Sequence, residues 1–468
     1  MFNLSRTTFR SLVATGAVLS ITSMASAATT GSPSSAASPR PDVPSHARAG
    51  GSLSPRVTRT GRGPTGYEVT FRYKDASAAS VQIKGEWYFA NPGDLSAPAS
   101  TETNPIDTPG LLPSHWQPGD VPIQSPNTTS ANWPVAAMTR QRDGVWTYTT
   151  PLPSGVFSYG FYVNCANATQ TGCTEIPDPA NPPWNAKNGV TAGSTEATSQ
   201  VYVPSDPSYG TVDYSWQAPG RIDGTLTDVT YPSPASVTPA GENYLAVYTP
   251  PGYNPRRPTP YPTLYLSHGG GGNEVDWSTQ GDLSNIINNL IDTGQIQPMV
   301  VVMPNAYTYA DVTNYAGYDE NLVNSVIPYV QAHYDVSSLA SERAFAGLSM
   351  GGAIANSLLF DYTSEFGYFG VMSPGFQGSP PYGNGHFNVP PASSIGPTEA
   401  AALKNTGIFV GGGWQDPIHY VATSEVTTLT AVGAAVHPDF INGGHEWYAW
   451  RILLRDFLTR VAFFPPAG

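Results

Sequence analysis

Between residues 67 and 163 apolar and polar positions alternate in short runs, broken by Gly, Pro and Asp. The runs cover residues 67–73, 80–84, 145–148 and 156–163. A period of two sends successive side chains to opposite faces, so each run predicts a strand with one buried face. Together they predict an antiparallel β-sandwich ending near Val203. Residues 204–220 are rich in Pro, Gly, Ser and Tyr and read as a linker. Beyond them the pattern changes. Largely apolar runs at 263–266, 299–303, 344–346 and 407–410 predict strands, and a last strand is expected at 436–441. Helical stretches are expected near 283–293, 320–333, 351–360 and 450–461. Strands that are apolar throughout, alternating with helices, predict a parallel sheet covered on both faces. The expected fold class is therefore α/β, preceded by an all-β sandwich domain. No internal repeat is present.

Composition narrows the function. At 468 residues the chain exceeds one ordinary core, which agrees with two domains. Charged residues make up only 12% against 40% hydrophobic, a balance that supports packed cores. Net charge is −13 and no Lys/Arg cluster occurs, which argues against nucleic-acid partners and against an anionic membrane surface. At the start, Arg6 and Arg10 precede an apolar run over residues 12–21, and Ala25-Ser26-Ala27 offers small residues for cleavage. These features predict a signal peptide over 1–27 and a secreted product, extracellular or periplasmic. No later run approaches the roughly 18 apolar residues of a membrane helix. A flexible leader is expected over 28–59, the sandwich over 60–203 and the α/β domain over 221–468. Cys165 and Cys173 are expected to form a disulfide, since neither nearby His nor a Cys-x-x-Cys spacing favours a metal or redox site.

The sharpest chemical signal is Gly347-Leu348-Ser349-Met350-Gly351-Gly352, a G-x-S-x-G pattern between an expected strand and an expected helix. Such a turn lifts Ser349 clear of the sheet, while the glycines let strand and helix approach closely. A nucleophilic Ser needs a base, and the base an orienting acid. His445, in the loop before the last helix, is the expected base. His386, His419 and His437 also follow Ser349, and His437 falls in an expected strand. Asp416, after the strand at 407–410, is the expected acid, and the same residue suits a helix N-cap. Asp439 and Glu446 are the other acids in range. An oxyanion hole needs two donors. The amide of Met350 is one, and Gly270, from the run His268-Gly269-Gly270-Gly271-Gly272, is preferred over Gly269 for the other. For substrate contact the candidates are Phe376, Tyr382, Phe387 and Trp414.

Residues from about 221 to 465 resemble the esterase-D-like carbohydrate esterases, family one, which include feruloyl and acetylxylan esterases. The landmarks are Val247-Tyr-Thr-Pro-Pro-Gly-Tyr253, Tyr261-Pro-Thr-Leu-Tyr-Leu266 leading to His268-Gly269, Ala346-Gly-Leu-Ser-Met-Gly-Gly352, and Gly444-His-Glu-Trp447 with Trp450-Arg451. The resemblance implies an α/β-hydrolase fold, a Ser349–His445–Asp416 triad and no cofactor or metal. It also implies feruloylated or acetylated plant polysaccharide as substrate. Siderophore esterases of the enterobactin type and acyltransferases share that fold and remain alternatives. The front domain resembles the immunoglobulin-like carbohydrate-binding family 48, on Val81-Gln-Ile-Lys-Gly85 with Trp87, Met138, Gly144-Val-Trp146, Tyr159-Gly-Phe-Tyr162 and Asp178-Pro179-Ala180-Asn181. Its Trp residues suit either stacking on sugars or packing in a core. A chain beginning near residue 221 is expected to fold without the front domain. The oligomeric state is left open.

Overall fold

The structure, a computed structural model, describes residues 43–44, 53–93, 111–123, 135–165, 173–185, 198–309, 316–375 and 390–464. The expected signal peptide, most of the leader, His386, Phe376, Tyr382 and Phe387 lie outside these residues.

Nine strands form the central sheet: β1 (Val43–Pro44), β2 (Thr225–Val237), β3 (Ala240–Thr249), β4 (Thr263–Ser267), β5 (Val300–Pro304), β6 (Arg343–Leu348), β7 (Tyr368–Met372), β8 (Gly407–Gly413) and β9 (Val436–Ile441). Their spatial order is β1-β2-β3-β5-β4-β6-β7-β8-β9. The strands from β5 to β9 run parallel, while β1, β2 and β3 pair antiparallel at one edge. Among the described residues seven α-helices occur in chain order: α1 (Leu283–Asp292), α2 (Ala316–Asn321), α3 (Ile327–His333), α4 (Met350–Asp361), α5 (Pro397–Lys404), α6 (His419–Ala431) and α7 (Trp447–Arg460). Both faces of the sheet are covered. One core joins Leu245, Val247, Val302 and Phe345 to Ile354 and Leu358 of α4 and Leu429 of α6. The other joins Ala246, Tyr248, Val301 and Leu266 to Ile286 and Leu290 of α1 and Leu453 and Phe457 of α7. Adjacent strand residues thus alternate between two apolar layers, which is why the inner strands β4, β5 and β7 are buried at every position.

Two further four-stranded sheets share a core of Val69, Phe71, Ile83, Trp87, Tyr159 and Phe161. One contains Arg56–Arg59, Tyr67–Lys74, Val145–Pro151 and Thr139–Arg140; the other contains Ser199–Val203, Gly155–Val163, Val81–Gly85 and Val135–Ala137. Every pairing in both is antiparallel. Cys165 and Cys173 are joined as a disulfide beside this layer.

Several expectations need correction. The leader is not wholly unstructured: Val43–Pro44 pairs with β2, and Arg56–Arg59 pairs with Tyr67–Lys74. In residues 204–220, Asp206, Trp216 and Gln217 are buried. The helix expected at 320–333 is interrupted by a π-helical segment, Leu322–Val326. Pro328, at the start of α3, removes an N–H and crowds the preceding turn, a reason for the wider spacing there. The Trp residues behave as core: Trp87, Trp116, Trp146 and Trp216 are buried and Trp184 is half-buried, while Trp133 lies outside the described residues.

Candidate active site

Ser349 stands on the turn from β6 into α4 with φ 51° and ψ −112°. Positive φ strains a residue bearing a Cβ, so the turn must be held from outside. Its N–H donates to the Met372 carbonyl at 3.0 Å, and its own carbonyl accepts from Ala353 at 3.0 Å and Gly375 at 2.7 Å. The glycines around it are sterically required. A Cβ on Gly351 would lie 2.7 Å from the carbonyl oxygens of Ser267 and His268, and one on Gly347 would lie 2.4 Å from that of Gly351. Strand and helix meet too closely there for any side chain.

His445 faces Ser349 from the loop between β9 and α7. Ser349 Oγ donates to His445 Nε2 at 2.9 Å, and His445 Nδ1 donates to Asp416 Oδ2 at 2.8 Å. Asp416 is fully buried at the C-terminal end of the β8 region, and its other oxygen accepts from the amide of Ile418 at 2.9 Å. Orienting acid and local cap are thus served by different oxygens of one carboxylate. The Trp450 ring meets the His445 ring edge-on, 4.9 Å between centroids, and limits how far the imidazole can turn. The other candidates face elsewhere. Asp439 pairs with Arg460 at 3.0 Å, His437 lies in β9, and His419 Nδ1 donates to the Asp416 carbonyl at 2.9 Å. The Glu446 carboxyl turns back to accept from the amide of Gly444 at 3.0 Å. Burial, reinforced by Glu86 and Asp416, pushes that carboxyl well above the usual carboxylate range.

Beside Ser349, the glycine run leaves β4. A Cβ on Gly269 would lie 2.6 Å from Leu348 Cδ1 and 3.4 Å from Ser349 Cβ, so this backbone lies against the nucleophile turn. The fully buried His268 fixes its course. His268 Nδ1 donates to the Gly269 carbonyl at 2.8 Å, and Nε2 accepts from the Ala306 amide at 3.1 Å. Burial lowers its pKa to about 4, so it stays neutral in this tautomer. A trans peptide sets N–H opposite C=O, so fixing the Gly269 carbonyl also aims the Gly270 N–H. Tyr307 completes the lock, its hydroxyl accepting from the Gly271 amide at 2.6 Å and its ring lying 5.7 Å from His268. Met350 provides the first amide of α4, which has no carbonyl one turn back to bond. Trp414 is 37% exposed, two residues before Asp416, and packs on Phe440 at 4.9 Å. Tyr307, the other exposed aromatic here at 36%, has no motif to mark it. His268 is visible in the glycine run, but its burial is not.

Against known proteins, residues 236–461 match the model of the family described as "Putative esterase". This part of the chain, just under half of it, is similar to that esterase family and holds Ser349, Asp416 and His445. The endo-1,4-beta-xylanase/feruloyl esterase of Xylanibacter ruminicola is 28% identical over 247 residues, covering 50% of this chain and 31% of that protein. Endo-1,4-beta-xylanase Y of Acetivibrio thermocellus is 32% identical over 144 residues, 28% of this chain and 13% of that one. The chain thus spans under a third of the length of these curated relatives. Among solved structures, the enterobactin esterase of Shigella flexneri superposes with a TM-score of 0.50 at 17% identity, covering 88% of this chain and 98% of that one. That likeness concerns the fold, and at this coverage it takes in strands of the sandwich as well as the esterase domain.

Proposed function

We propose that the protein is a secreted serine carboxylic-ester hydrolase of plant cell-wall esters, releasing hydroxycinnamic acids from feruloylated xylan. The observation that carries this reading is the relay Ser349–His445–Asp416, closed by hydrogen bonds of 2.9 and 2.8 Å. His445 Nε2 takes the Oγ proton as Ser349 attacks the ester carbonyl. The tetrahedral oxyanion is held by the N–H groups of Met350 and Gly270, each worth on the order of 3–4 kcal/mol in the transition state. Collapse expels the sugar alcohol, which takes the proton from His445. A water then gives its proton to His445 and attacks the acyl carbonyl; collapse breaks the bond to Ser349 Oγ, which takes that proton back from His445, and the free acid leaves. Asp416 holds the Nδ1 proton throughout. These steps need no metal or organic cofactor.

A hydroxycinnamoyl group is supported by the name of the Xylanibacter relative and by the exposed aromatic faces of Trp414 and Tyr307 near the relay. The whole-chain fold likeness to an enterobactin esterase supports a second reading, hydrolysis of a cyclic siderophore ester. With 34 acidic against 21 basic residues, the chain is poorly suited to an anionic iron chelate. A panel of feruloyl, p-coumaroyl, acetyl and siderophore esters separates these readings. The hydroxycinnamoyl esters are expected to give the highest kcat/KM; faster siderophore turnover would replace this reading with the second.

A further inference from the structure

We propose that Arg451 is a positioning residue through which the β-sandwich holds the oxyanion segment and the His445 loop in register, making the sandwich part of the catalytic unit. The inference rests on Ser349 and His445 being the catalytic pair.

Arg451 lies on α7, one turn beyond its start at Trp447, and is only 2% exposed. Nη2 donates to the carbonyl of Val156 at 2.9 Å, inside the sandwich strand Gly155–Val163. Nη1 donates to the carbonyl of Gln280 at 2.8 Å, on the stretch joining the glycine run to α1. One planar fork therefore ties together three parts of the chain that are far apart in sequence. The charges around it show the same division. Glu86 comes from the sandwich, Asp282 from the stretch before α1, and Glu446 is the neighbour of His445. All three are buried, and each feels the guanidinium. Burying an unpaired guanidinium is costly, so the site persists only while all three parts supply partners.

Other contacts join the sandwich to the stretch before α1 and to the segment that follows the sandwich. Asn185 Nδ2 donates to Ser278 Oγ at 2.9 Å, Gln280 Nε2 to Thr198 Oγ1 at 3.2 Å, and the amide of Val156 to Gln217 Oε1 at 3.1 Å. Trp277 meets Trp447 edge-on at 5.2 Å, joining the oxyanion stretch to the start of α7. A tethered sugar-binding module would have no need of a buried charge at its boundary. Here that charge ties the sandwich to the stretch after the glycine run and to the helix that follows the base.

The test uses the full chain with Arg451→Lys and the milder Thr198→Val. A Lys keeps the charge, but its single ammonium does not reproduce a fork spanning two carbonyls. Kinetics are measured on a soluble aryl ester, with kcat divided by the number of Ser349 sites that a fluorophosphonate titrates, so unfolded molecules do not count. Misplacing catalytic groups slightly costs rate rather than affinity, so Arg451→Lys is expected to lower kcat per site about tenfold or more with KM within about twofold. Thr198→Val is expected to lower it about two- to fivefold in the same way. Wild-type kcat per site in the variants would overturn the proposal, as would a loss confined to affinity for xylan-bound esters. If Arg451→Lys does not fold, Thr198→Val decides. A wild-type chain that is not titrated at Ser349 would overturn the catalytic reading itself, and this inference with it.

Discussion

Ser349 keeps a strained backbone because three separate hydrogen bonds and a sleeve of glycines hold it. Its hydroxyl contributes little to that framework, so Ser349→Ala should leave the melting temperature within a few degrees. Ester hydrolysis should fall by roughly 10⁴-fold or more, read from kcat/KM on an aryl ester. A different residue should control the pH response of stability. Glu425 of α6 is fully buried against Asn356 of α4, and burial raises its pKa to about 8. The folded state then keeps a proton that the unfolded chain releases above its ordinary value of 4.5. Stability therefore falls as pH rises between those values, by up to about 1.4 kcal/mol per pH unit from this group. Glu425→Gln should match wild type near pH 4 and melt higher at pH 8, by an amount worth on the order of a few kcal/mol. Thermal melts across that range check it. At this scale the relay residues were legible because G-x-S-x-G, a loop His and a strand-end Asp each carry a local pattern. His268, Tyr307, Arg451 and Glu425 take their roles from burial and partners distant in sequence, which no local pattern encodes.

The elements that sequence reveals best are those whose packing leaves a periodic trace. The expected strand at 436–441 coincides with β9, and α1 and α4 start and stop within about a residue of expectation. The hairpin of β2 and β3 was missed. β2 is an outlying strand with one exposed face, and its polar residues and prolines read as loop. α6 was missed for another reason. Its sequence, HYVATSEVTTLTA, is rich in β-branched residues with weak helix propensity, and its helix is held by Ala422, Glu425 and Leu429 packing inward. The turn before α4 depends on Gly351 more than on propensity. Gly351→Ala should force α4 away from the Ser267 and His268 carbonyls. The expected outcome is a fall in kcat of about 10²-fold or more, from a displacement of under an ångström or so. It should come with a lowered melting temperature, measured by calorimetry.

Residues 42–468 form one compact unit, and the sandwich meets the α/β half through buried polar groups. This alters the expectation that the catalytic half stands alone. A chain beginning near residue 221 would leave Arg451 without the Val156 carbonyl and expose Gln280 and Ser278 to water. Its expected behaviour is poor soluble recovery and loss of activity on small and polymeric esters alike, seen by expression and paired assays. Full activity on small esters would show the sandwich to be dispensable. The two kinds of sheet were legible because their apolar periods differ; the contacts between them were not, since Arg451, Gln280 and Asn185 are isolated polar residues in sequence. Everything proposed for the site turns on Ser349 as the nucleophile. The most direct test is to acid-quench the full chain during turnover of a feruloyl ester and map the peptides by mass. The expected result is a feruloyl adduct on the peptide bearing Ser349, absent from Ser349→Ala. Undiminished hydrolysis by Ser349→Ala, or an adduct on another residue, would contradict it.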